Sequence, residues 1–258
     1  MKACKMGKLT GKVAILTASS YGIGLSIAER LLEDGAKVMI SSRKKKNVDK
    51  ALQTLKNKGL TVSGVVCHVA KKEHRQKLIE QTLKEYGGID LLVSNAAVNP
   101  IFGPILDSTE DGWEKVFEVN VKSTFFLIKE VVPYMEKRGG GSIVIVSSVS
   151  GYIPAIGSEF TGAYSTSKTA LLGMTKALAR QLARMNVRVN CVAPGLIKTK
   201  FSEALVSQEG EEIRKLIPLQ RFGEPDECAG IVSFLLSKDA SYVTGETVTV
   251  AGGLSSRL

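Results

Sequence analysis

A tyrosine and a lysine lie four residues apart in the segment Tyr164-Ser165-Thr166-Ser167-Lys168. The stretch from there to Leu182 has the pattern of a long helix, on which residues at i and i+4 share a face. An unperturbed tyrosine has a pKa of about 10, too high for efficient proton exchange at neutral pH. A lysine ammonium beside the phenol would lower that pKa. The pair predicts a tyrosine that exchanges a proton with a carbonyl or alcohol oxygen, although most such pairs are two surface residues.

Other polar residues are suited to hold the reacting oxygen and to orient the lysine. Ser147 and Ser148 follow a predicted strand, and Ser150 lies two residues further on. Ligands bind at the carboxyl ends of parallel strands, so one of these serines is expected to face the substrate, although Ser-Ser after a strand is more often a turn or a helix cap. Asn120 is predicted to orient Lys168 through its carbonyl and a water molecule, with a buried structural amide as the alternative.

Short apolar runs alternate with longer helical patterns along the chain. Strands separated by helices predict right-handed βαβ units and a parallel sheet, and nearly all-apolar strands are typical of a sheet covered on both faces. The predicted strands are Val13–Thr17, Val38–Ser42, Val62–His68, Leu91–Val93, Ser142–Val146, Val187–Val192 and Thr247–Val250. We expect an α/β fold with one doubly wound parallel sheet of about seven strands, in a single domain over residues 1–258.

The first strand runs into a turn with two glycines, and a helix follows. Such a turn aims backbone N–H groups and the positive end of a helix dipole at an anion. Gly22 would let the backbone approach a pyrophosphate, and Gly24 would let the helix pack closely on the strand. A tight turn without a ligand is the alternative. The residues predicted to bind a dinucleotide here are Thr17, Ser19, Tyr21, Gly22, Ile23 and Gly24.

The residues after the second strand indicate which dinucleotide would bind. An NAD site commonly has an acidic residue there that binds the ribose 2′-hydroxyl. This chain has Ser41-Ser42-Arg43 followed by three lysines. The Arg43 guanidinium can bind a 2′-phosphate or lie against adenine, and Ser42 can donate a hydrogen bond. The sequence favours NADP(H), unless Arg43 to Lys46 are only the solvated start of a helix.

Composition argues against several other classes of protein. The net charge is +10, but the basic residues are dispersed and no aromatic residues alternate with the run Arg43 to Lys46, so we do not expect a nucleic-acid partner. No apolar stretch reaches about 18 residues, so no membrane span is expected. With two histidines and four widely spaced cysteines, we expect no metal site and no disulfide framework. Three cysteines in apolar segments are predicted to be buried free thiols: Cys67, Cys191 and Cys228.

Together these motifs resemble the short-chain dehydrogenase/reductase family over nearly the whole chain. The turn from Thr17 to Gly24 is similar to the family's glycine-rich cofactor turn, and Asn95-Ala96-Ala97 resembles its Asn-Ala-Gly segment beside the cofactor. The resemblance implies a Rossmann-type fold that is frequently tetrameric, so a homotetramer is expected. It also implies a catalytic tetrad formed by Asn120, Ser148, Tyr164 and Lys168.

The resemblance assigns further residues to the cofactor. The segment from Pro194 to Thr199 is similar to the family's Pro-Gly segment, which meets the nicotinamide carboxamide, and Lys168 would also contact the nicotinamide ribose. His68 occupies the place where many members have an aspartate against the adenine. The residues expected to bind cofactor on these grounds are His68, Val69, Asn95, Tyr164, Lys168, Pro194, Gly195, Ile197 and Thr199.

Within the family, the chain is most similar to the peroxisomal NADP-dependent retinol dehydrogenase/carbonyl reductase group. The segments that indicate this group are Ser41-Ser42-Arg43, Cys67-His68-Val69 and Ser256-Arg257-Leu258. The resemblance implies reduction of retinal, aromatic ketones, α-dicarbonyls or some ketosteroids, with Tyr164 as acid/base and Ser148 on the substrate oxygen. A 3-oxoacyl-thioester reductase is a second enzymatic hypothesis, and a non-catalytic NADP-sensing or scaffold protein is a third.

The chain also departs from the family pattern at several positions. Ala18 stands where most members have the first glycine of the turn and must tolerate that backbone conformation, and Ala97 replaces another glycine. Residues 199–218 are predicted to form a lid over the substrate. Apolar side chains proposed for the pocket are Phe102, Tyr152, Phe160, Leu196, Phe201 and Leu205.

The C-terminal residues Ser256-Arg257-Leu258 are a variant of the Ser-Lys-Leu peroxisomal address. Arginine keeps the charge of the lysine, although small and basic residues also end many chains by chance. With the family resemblance, this favours the peroxisome over the cytoplasm and predicts the peroxisomal import receptor as a partner.

Overall fold

Seven apolar segments, rich in β-branched residues, form the strands of one parallel sheet. The computed structural model describes residues 7–101, 103–154 and 161–254, without the side chains of residues 204, 205, 208 and 209. The strands are β1 (Val13–Leu16), β2 (Lys37–Ser42), β3 (Ser63–Val66), β4 (Leu91–Ser94), β5 (Gly141–Val146), β6 (Val187–Pro194) and β7 (Thr247–Val250). Their order is β3-β2-β1-β4-β5-β6-β7. The strand order reverses between β1 and β4, where open parallel sheets form their ligand crevice.

Helices connect the strands and cover both faces of the sheet, which confirms the predicted fold class. They are α1 (Gly22–Glu33), α2 (Lys45–Asn57), α3 (Lys72–Tyr86), α4 (Glu110–Phe117), α5 (Ser123–Lys137), α6 (Gly162–Leu182), α7 (Glu203–Leu216) and α8 (Pro225–Leu236). Successive strand residues point to opposite faces: Ala14 and Leu16 pack with α1, α2 and α8, whereas Ile15 packs with α3, α5 and α6. All of β1 is therefore buried, which explains its uninterrupted apolar sequence.

Two strands end two residues away from the predicted position, and β1 and β4 each end one residue away, at Leu16 and Ser94. The third strand stops at Val66 instead of His68, because the His68 N–H donates to Nδ1 of His74 at 3.2 Å and the chain turns away from the sheet. The sixth strand continues two residues beyond Val192, because Pro194 is still in register with Val250 of β7.

A π-helical turn over Glu118–Lys122 joins α4 to α5. Helical backbone therefore continues from residue 110 to residue 137 with one wider turn in its interior. Turns of this kind occur often at functional sites. Asn120, one of the predicted catalytic residues, lies in the middle of the turn and is fully buried.

A buried carboxylate joins three elements at the amino edge of the sheet. Asp90, just before β4, is 1% exposed and accepts the N–H of Val13 at 2.9 Å. Arg138, at the end of α5, donates to both of its oxygens, at 3.2 and 3.0 Å. The lysine Lys12 lies 3.5 Å away. Asp90 thus fixes this edge, opposite to the edge where ligands bind.

Cys67, Cys191 and Cys228 are buried free thiols, as predicted, whereas Cys4 lies outside the described residues. Within residues 7–101, 103–154 and 161–254, no group of three or more histidine, cysteine or acidic side chains could hold a metal ion. None of the helices in those ranges has the length and hydropathy needed to span a membrane.

Candidate active site

Tyr164, Lys168 and Ser148 meet at the carboxyl edge of the sheet. Tyr164 and Lys168 lie one turn apart on α6, and the lysine Nζ lies 5.4 Å from the centroid of the phenol ring. The Ser148 side chain, two residues beyond the end of β5, lies close enough to the Tyr164 phenol to lower its pKa. Three members of the predicted tetrad are therefore close enough to act on one oxygen atom.

The three candidate serines have different partners. The Ser147 hydroxyl donates to the backbone carbonyl of Lys168 at 2.8 Å and is buried, so it ties β5 to α6. The Ser148 hydroxyl faces Tyr164. The Ser150 hydroxyl donates to Oγ of Ser148 at 2.9 Å. The geometry therefore favours Ser148 as the serine that contacts the substrate.

The net shift of the Tyr164 pKa is upward, although a lysine beside a phenol is expected to lower it. Burial raises the pKa of the Tyr164 phenol above its ordinary value, and the hydrogen bond from Ser148 opposes only part of this effect. Lys168 Nζ donates to the carbonyl of Val146 at 2.9 Å while it lies 5.4 Å from the centroid of the phenol ring. The net shift keeps the phenol protonated at neutral pH, and a lowering of its pKa by Lys168 stays a prediction.

Burial also lowers the pKa of Lys168 to about 8, and its interaction with the Cys191 thiol opposes this change. Lys168 is only 1% exposed and its described hydrogen bond is to a neutral carbonyl. A buried ammonium with so little compensation loses its proton more readily than one in water.

Asn120 connects the chain after β4 to the catalytic helix. Its Oδ1 accepts the N–H of Val98 at 2.8 Å, while its Nδ2 donates to the Val98 carbonyl and to Oγ of Ser167, both at 3.0 Å. Ser167 lies between Tyr164 and Lys168 on α6. The backbone carbonyl of Asn120 accepts the hydroxyl of Thr124 at 3.0 Å. The link from Asn120 to Lys168 through that carbonyl and a water molecule stays a prediction.

The glycine turn has the conformation that its sequence implied. Ala18 adopts φ = 49°, a left-handed conformation that costs a non-glycine residue energy, and Gly22 adopts φ = 55°. A Cβ on Gly24 would lie 2.4 Å from the Ala18 carbonyl oxygen and 2.6 Å from Nδ2 of Asn95. Gly24 is therefore needed for the close approach of α1 to the turn.

Other residues of the turn hold it in place. Oγ1 of Thr17 accepts the N–H of Asn95 at 3.0 Å, and Asn95 Nδ2 donates to the Ala18 carbonyl at 3.0 Å, which joins the turn to the end of β4. Oγ of Ser19 accepts the N–H of Ser41 at 3.0 Å. Tyr21 caps α1 with its side chain half exposed, and Ile23 packs against the core beneath.

The turns after β2 and β3 form a basic corner. Ser42 is buried at the end of β2, and the exposed Arg43 follows it. Burial, followed by the charges of Lys115 and Arg43, lowers the pKa of His68, which keeps its ring neutral. Val69 is a core residue whose carbonyl accepts a hydrogen bond from Arg75 at 2.8 Å.

The segment after β6 lies across the sheet crevice from this corner. The N–H of Gly195, next to Pro194, donates to the Val250 carbonyl, and Ile197 is buried beside Gly223. A Cβ on Gly22 would lie 3.1 Å from the Thr199 side chain, so this segment reaches the glycine turn. The predicted lid contains α7.

The apolar side chains predicted to line the substrate pocket lie in different parts of the structure. The Phe201 ring lies 5.6 Å from the Tyr164 ring, whereas Leu196 lines a separate cavity of about 280 Å³. Tyr152 follows the turn after Ser148. Phe102, Phe160 and the side chain of Leu205 lie outside the described residues, as do Ser256 to Leu258.

Two buried polar atoms indicate that the crevice fits a nicotinamide dinucleotide. Among the residues described, Oγ of Ser20 in the glycine turn and Nδ1 of His68 have no hydrogen-bond partner. Such atoms are rare because an unpaired buried group costs about 1–3 kcal/mol. Ser20 does not stand out in the sequence, since its type and position do not reveal that its hydroxyl lacks a partner. Asn99, whose Oδ1 is also unpaired, was missed for the same reason.

Comparisons with known proteins agree with this geometry. A family model described as enoyl-(acyl carrier protein) reductase matches residues 17–255. The chain is 58% identical over 252 residues to dehydrogenase/reductase SDR family member 4 of Oryctolagus cuniculus, covering 97% of this chain and 96% of the rabbit protein. The Homo sapiens protein of that name is 57% identical over 252 residues, covering 97% and 90% of the two chains.

A solved structure shows the same architecture. A short-chain type dehydrogenase/reductase from Mycobacterium marinum superimposes with a TM-score of 0.91 at 32% identity, covering 96% of each chain. The fold implies a nicotinamide cofactor. The chain belongs to the short-chain dehydrogenase/reductase family and is an oxidoreductase.

Proposed function

We propose that this oxidoreductase is an NADP(H)-dependent carbonyl reductase that also oxidises alcohols, with Tyr164 as the acid/base. The observation that carries the proposal is the convergence of the Tyr164 phenol, the Ser148 hydroxyl and the Lys168 ammonium at the carboxyl edge of β5. A proton donor, a second hydrogen-bond donor and a cation are what a carbonyl oxygen needs as it gains negative charge.

Each residue of the chain has a separate role in the reduction. The nicotinamide, when bound, supplies the hydride. Tyr164 gives its proton to the substrate oxygen, and Ser148 donates a hydrogen bond to the same atom. Lys168 stabilises the phenolate that remains, and Asn120 holds α6 against the chain after β4. Because burial raises the pKa of Tyr164, the phenol carries the proton needed for reduction at neutral pH.

The basic corner supports NADP(H) over NAD(H). Arg43 follows β2 where an NAD site commonly has a carboxylate. Besides burial, the charges of Lys115, Arg43 and Lys71 lower the pKa of His68 and that of Glu118 raises it, so the cations outnumber the carboxylate at this end of the crevice, as suits a 2′-phosphate.

Exposed apolar side chains support a hydrophobic substrate such as retinal or an aromatic ketone. Phe201 is 50% exposed while it contacts Tyr164. Ile105 and Leu106 are 43% and 94% exposed, and a Cβ on Gly162, the first residue of α6, would lie 2.6 Å from Cβ of Ile105. Apolar surface therefore borders the start of the catalytic helix.

The proposal is tested by following NADPH and NADH oxidation with a panel containing an α-diketone, an aromatic ketone, all-trans-retinal and an acetoacetyl thioester. We expect turnover with NADPH and a ketone or retinal, and loss of at least about 100-fold in kcat for Tyr164→Phe. Turnover of the thioester alone would favour the acyl-thioester alternative. NADPH binding without turnover of any compound would favour the sensor alternative.

The cofactor preference has its own pair of variants. Arg43→Ala should weaken NADPH binding by about 10- to 100-fold and leave NADH binding within about twofold, because it removes a charge-assisted contact to the 2′-phosphate. Lys45→Ala is the matched control, since Lys45 belongs to the same basic run but pairs with Asp49 at 2.7 Å. Equal losses for both cofactors in Arg43→Ala would contradict the assignment.

We further propose import into the peroxisome through Ser256-Arg257-Leu258 and assembly as a homotetramer. A fluorescent protein fused ahead of the full chain should enter peroxisomes, and deletion of residues 256–258 should leave it in the cytoplasm. Light scattering coupled to gel filtration measures the assembly, for which a tetramer corresponds to four chains of 27.7 kDa.

A further inference from the structure

The Ser148 hydroxyl accepts two hydrogen bonds from a single neighbouring residue. A serine hydroxyl can accept two hydrogen bonds and donate one. Oγ of Ser148 accepts the N–H of Ser150 at 3.2 Å and the hydroxyl of Ser150 at 2.9 Å. Both acceptor positions are therefore occupied by one residue, two positions along the chain.

Because both acceptor positions are filled, the Ser148 hydroxyl has only its own proton left to offer. Its proximity to Tyr164 lowers the phenol pKa, as expected when the serine offers its proton to the phenol oxygen and so favours the phenolate. A hydroxyl whose acceptor positions are occupied can only donate, which suits it to bind an oxygen that gains negative charge.

We propose that Ser150 is a positioning residue that fixes the Ser148 hydroxyl as a hydrogen-bond donor to the reacting oxygen. Ser150 acts through Ser148 and does not contact the substrate. This inference rests on the proposed carbonyl reductase function, since it assumes that an oxygen atom is the group that Ser148 must hold.

The local structure explains how Ser150 reaches this position. Ser148 caps a single 3₁₀ turn over Val149–Gly151, and the turn folds Ser150 back over the Ser148 side chain. A Cβ on Gly151 would lie 3.0 Å from the backbone of Lys168, so the turn lies against α6. Ser150 is half-buried, which limits competition from solvent for its hydroxyl.

Three variants separate this role from a structural one. Ser150→Ala removes the hydroxyl and keeps the N–H, and Ser150→Thr restores a hydroxyl. Thr169→Val is the matched control, because the Thr169 hydroxyl donates to the carbonyl of Gly151 at 2.8 Å in the same turn without touching Ser148.

For ketone reduction with NADPH, Ser150→Ala should lower kcat by about three- to tenfold, while the KM for NADPH stays within about twofold. Ser150→Thr should recover most of that loss, and Thr169→Val should leave kcat unchanged. In the Ser148→Ala background, assayed at high enzyme concentration, adding Ser150→Ala should change kcat by less than about twofold, because Ser150 has lost the group through which it acts. Wild-type kcat in Ser150→Ala, or losses that multiply in the double variant, would overturn the inference.

Crystal structures of the wild type and Ser150→Ala provide a measurement that needs no turnover. We expect Ser148 to adopt one rotamer towards Tyr164 in the wild type and a second rotamer in the variant. If the wild type reduced none of the panel but the second rotamer appeared, the proposed function would fall and the positioning role would stand. A single unchanged rotamer together with unchanged kcat would remove the positioning role and leave the reductase intact.

Discussion

Lys168 has an ionisable amine although only 1% of the residue is exposed. Its described hydrogen bond goes to the Val146 carbonyl, and burial lowers its pKa from an ordinary 10.5 to about 8. The folded protein therefore holds the lysine proton less tightly than the unfolded chain does. Such a group costs stability at neutral pH, and it remains because the proposed chemistry uses its charge.

This lysine makes the stability of the protein depend on pH. Between the folded pKa of about 8 and the ordinary 10.5, the unfolded chain binds more protons than the folded protein. The buried ammonium therefore destabilises the fold fully below about pH 8, and this destabilisation decreases as the pH rises. The free energy of unfolding of the wild type, relative to Lys168→Met, should therefore increase by about 2 kcal/mol from pH 7 to pH 10.

Denaturant unfolding of both proteins at the two pH values measures this difference. The methionine variant is the control for every other group that titrates in the range, including the thiols whose pKa burial raises. A difference between the two proteins that does not change with pH would mean that the lysine stays fully charged in the fold.

At the scale of elements, the glycine turn and α1 must approach each other more closely than side chains allow. Gly24→Ala would place a methyl group 2.4 Å from the Ala18 carbonyl and 2.6 Å from Asn95 Nδ2. We expect it to destabilise the fold by about 1–3 kcal/mol and to weaken NADPH binding at least tenfold, because the turn must shift. Thermal unfolding and fluorescence titration of NADPH measure the two effects.

Gly173→Ala is the matched control for this substitution. Gly173 lies inside α6, and a Cβ there meets nothing within 4 Å. Alanine is favoured over glycine by about 0.5–1 kcal/mol in a helix interior, so this variant should be more stable and bind NADPH normally. A Gly24→Ala protein as stable as the wild type would show that the turn can yield without cost.

Much of this element-level organisation follows from the sequence. Apolar runs locate all seven strands, because both faces of the sheet are covered, and the Tyr164–Lys168 spacing places the pair on α6. The third strand ends two residues early because the His74 side chain accepts the His68 N–H, a contact that hydrophobic periodicity does not reveal. The contacts of Asn120 with Ser167 and of Ser147 with Lys168 depend in the same way on packing between distant segments.

At the scale of the whole molecule, the two edges of the sheet have different tasks. The carboxyl edge carries the glycine turn, Ser148 and the segment after β6, whereas the amino edge is held by Asp90 with Val13 and Arg138. Loss of a contact at the amino edge should therefore affect stability without affecting catalysis.

Asp90→Asn tests this division. The amide replaces an oxygen that accepts from a backbone N–H or a guanidinium with a nitrogen that cannot, so we expect a loss of about 1–3 kcal/mol in unfolding free energy. The kcat and KM of the folded variant should stay within about twofold. Asp239→Asn is the control, since its ion pair with Lys8 is exposed and spans 3.7 Å, and it should change stability by less than about 0.5 kcal/mol. A large fall in kcat for Asp90→Asn would show that the two edges are coupled.

The π turn over Glu118–Lys122 makes the number of residues in this segment important for the position of Asn120. It contains one residue more than regular α-helix would use to cover the same distance, so a chain shorter by one residue here could still form an unbroken helix from α4 into α5. That deletion would leave α4 and α5 in register with the rest of the fold, but it would move Asn120 away from Val98 and Ser167. Single-residue deletions between 118 and 122 should therefore yield proteins that fold but do not turn over substrate, whereas loss of a residue in an exposed loop should leave both properties intact.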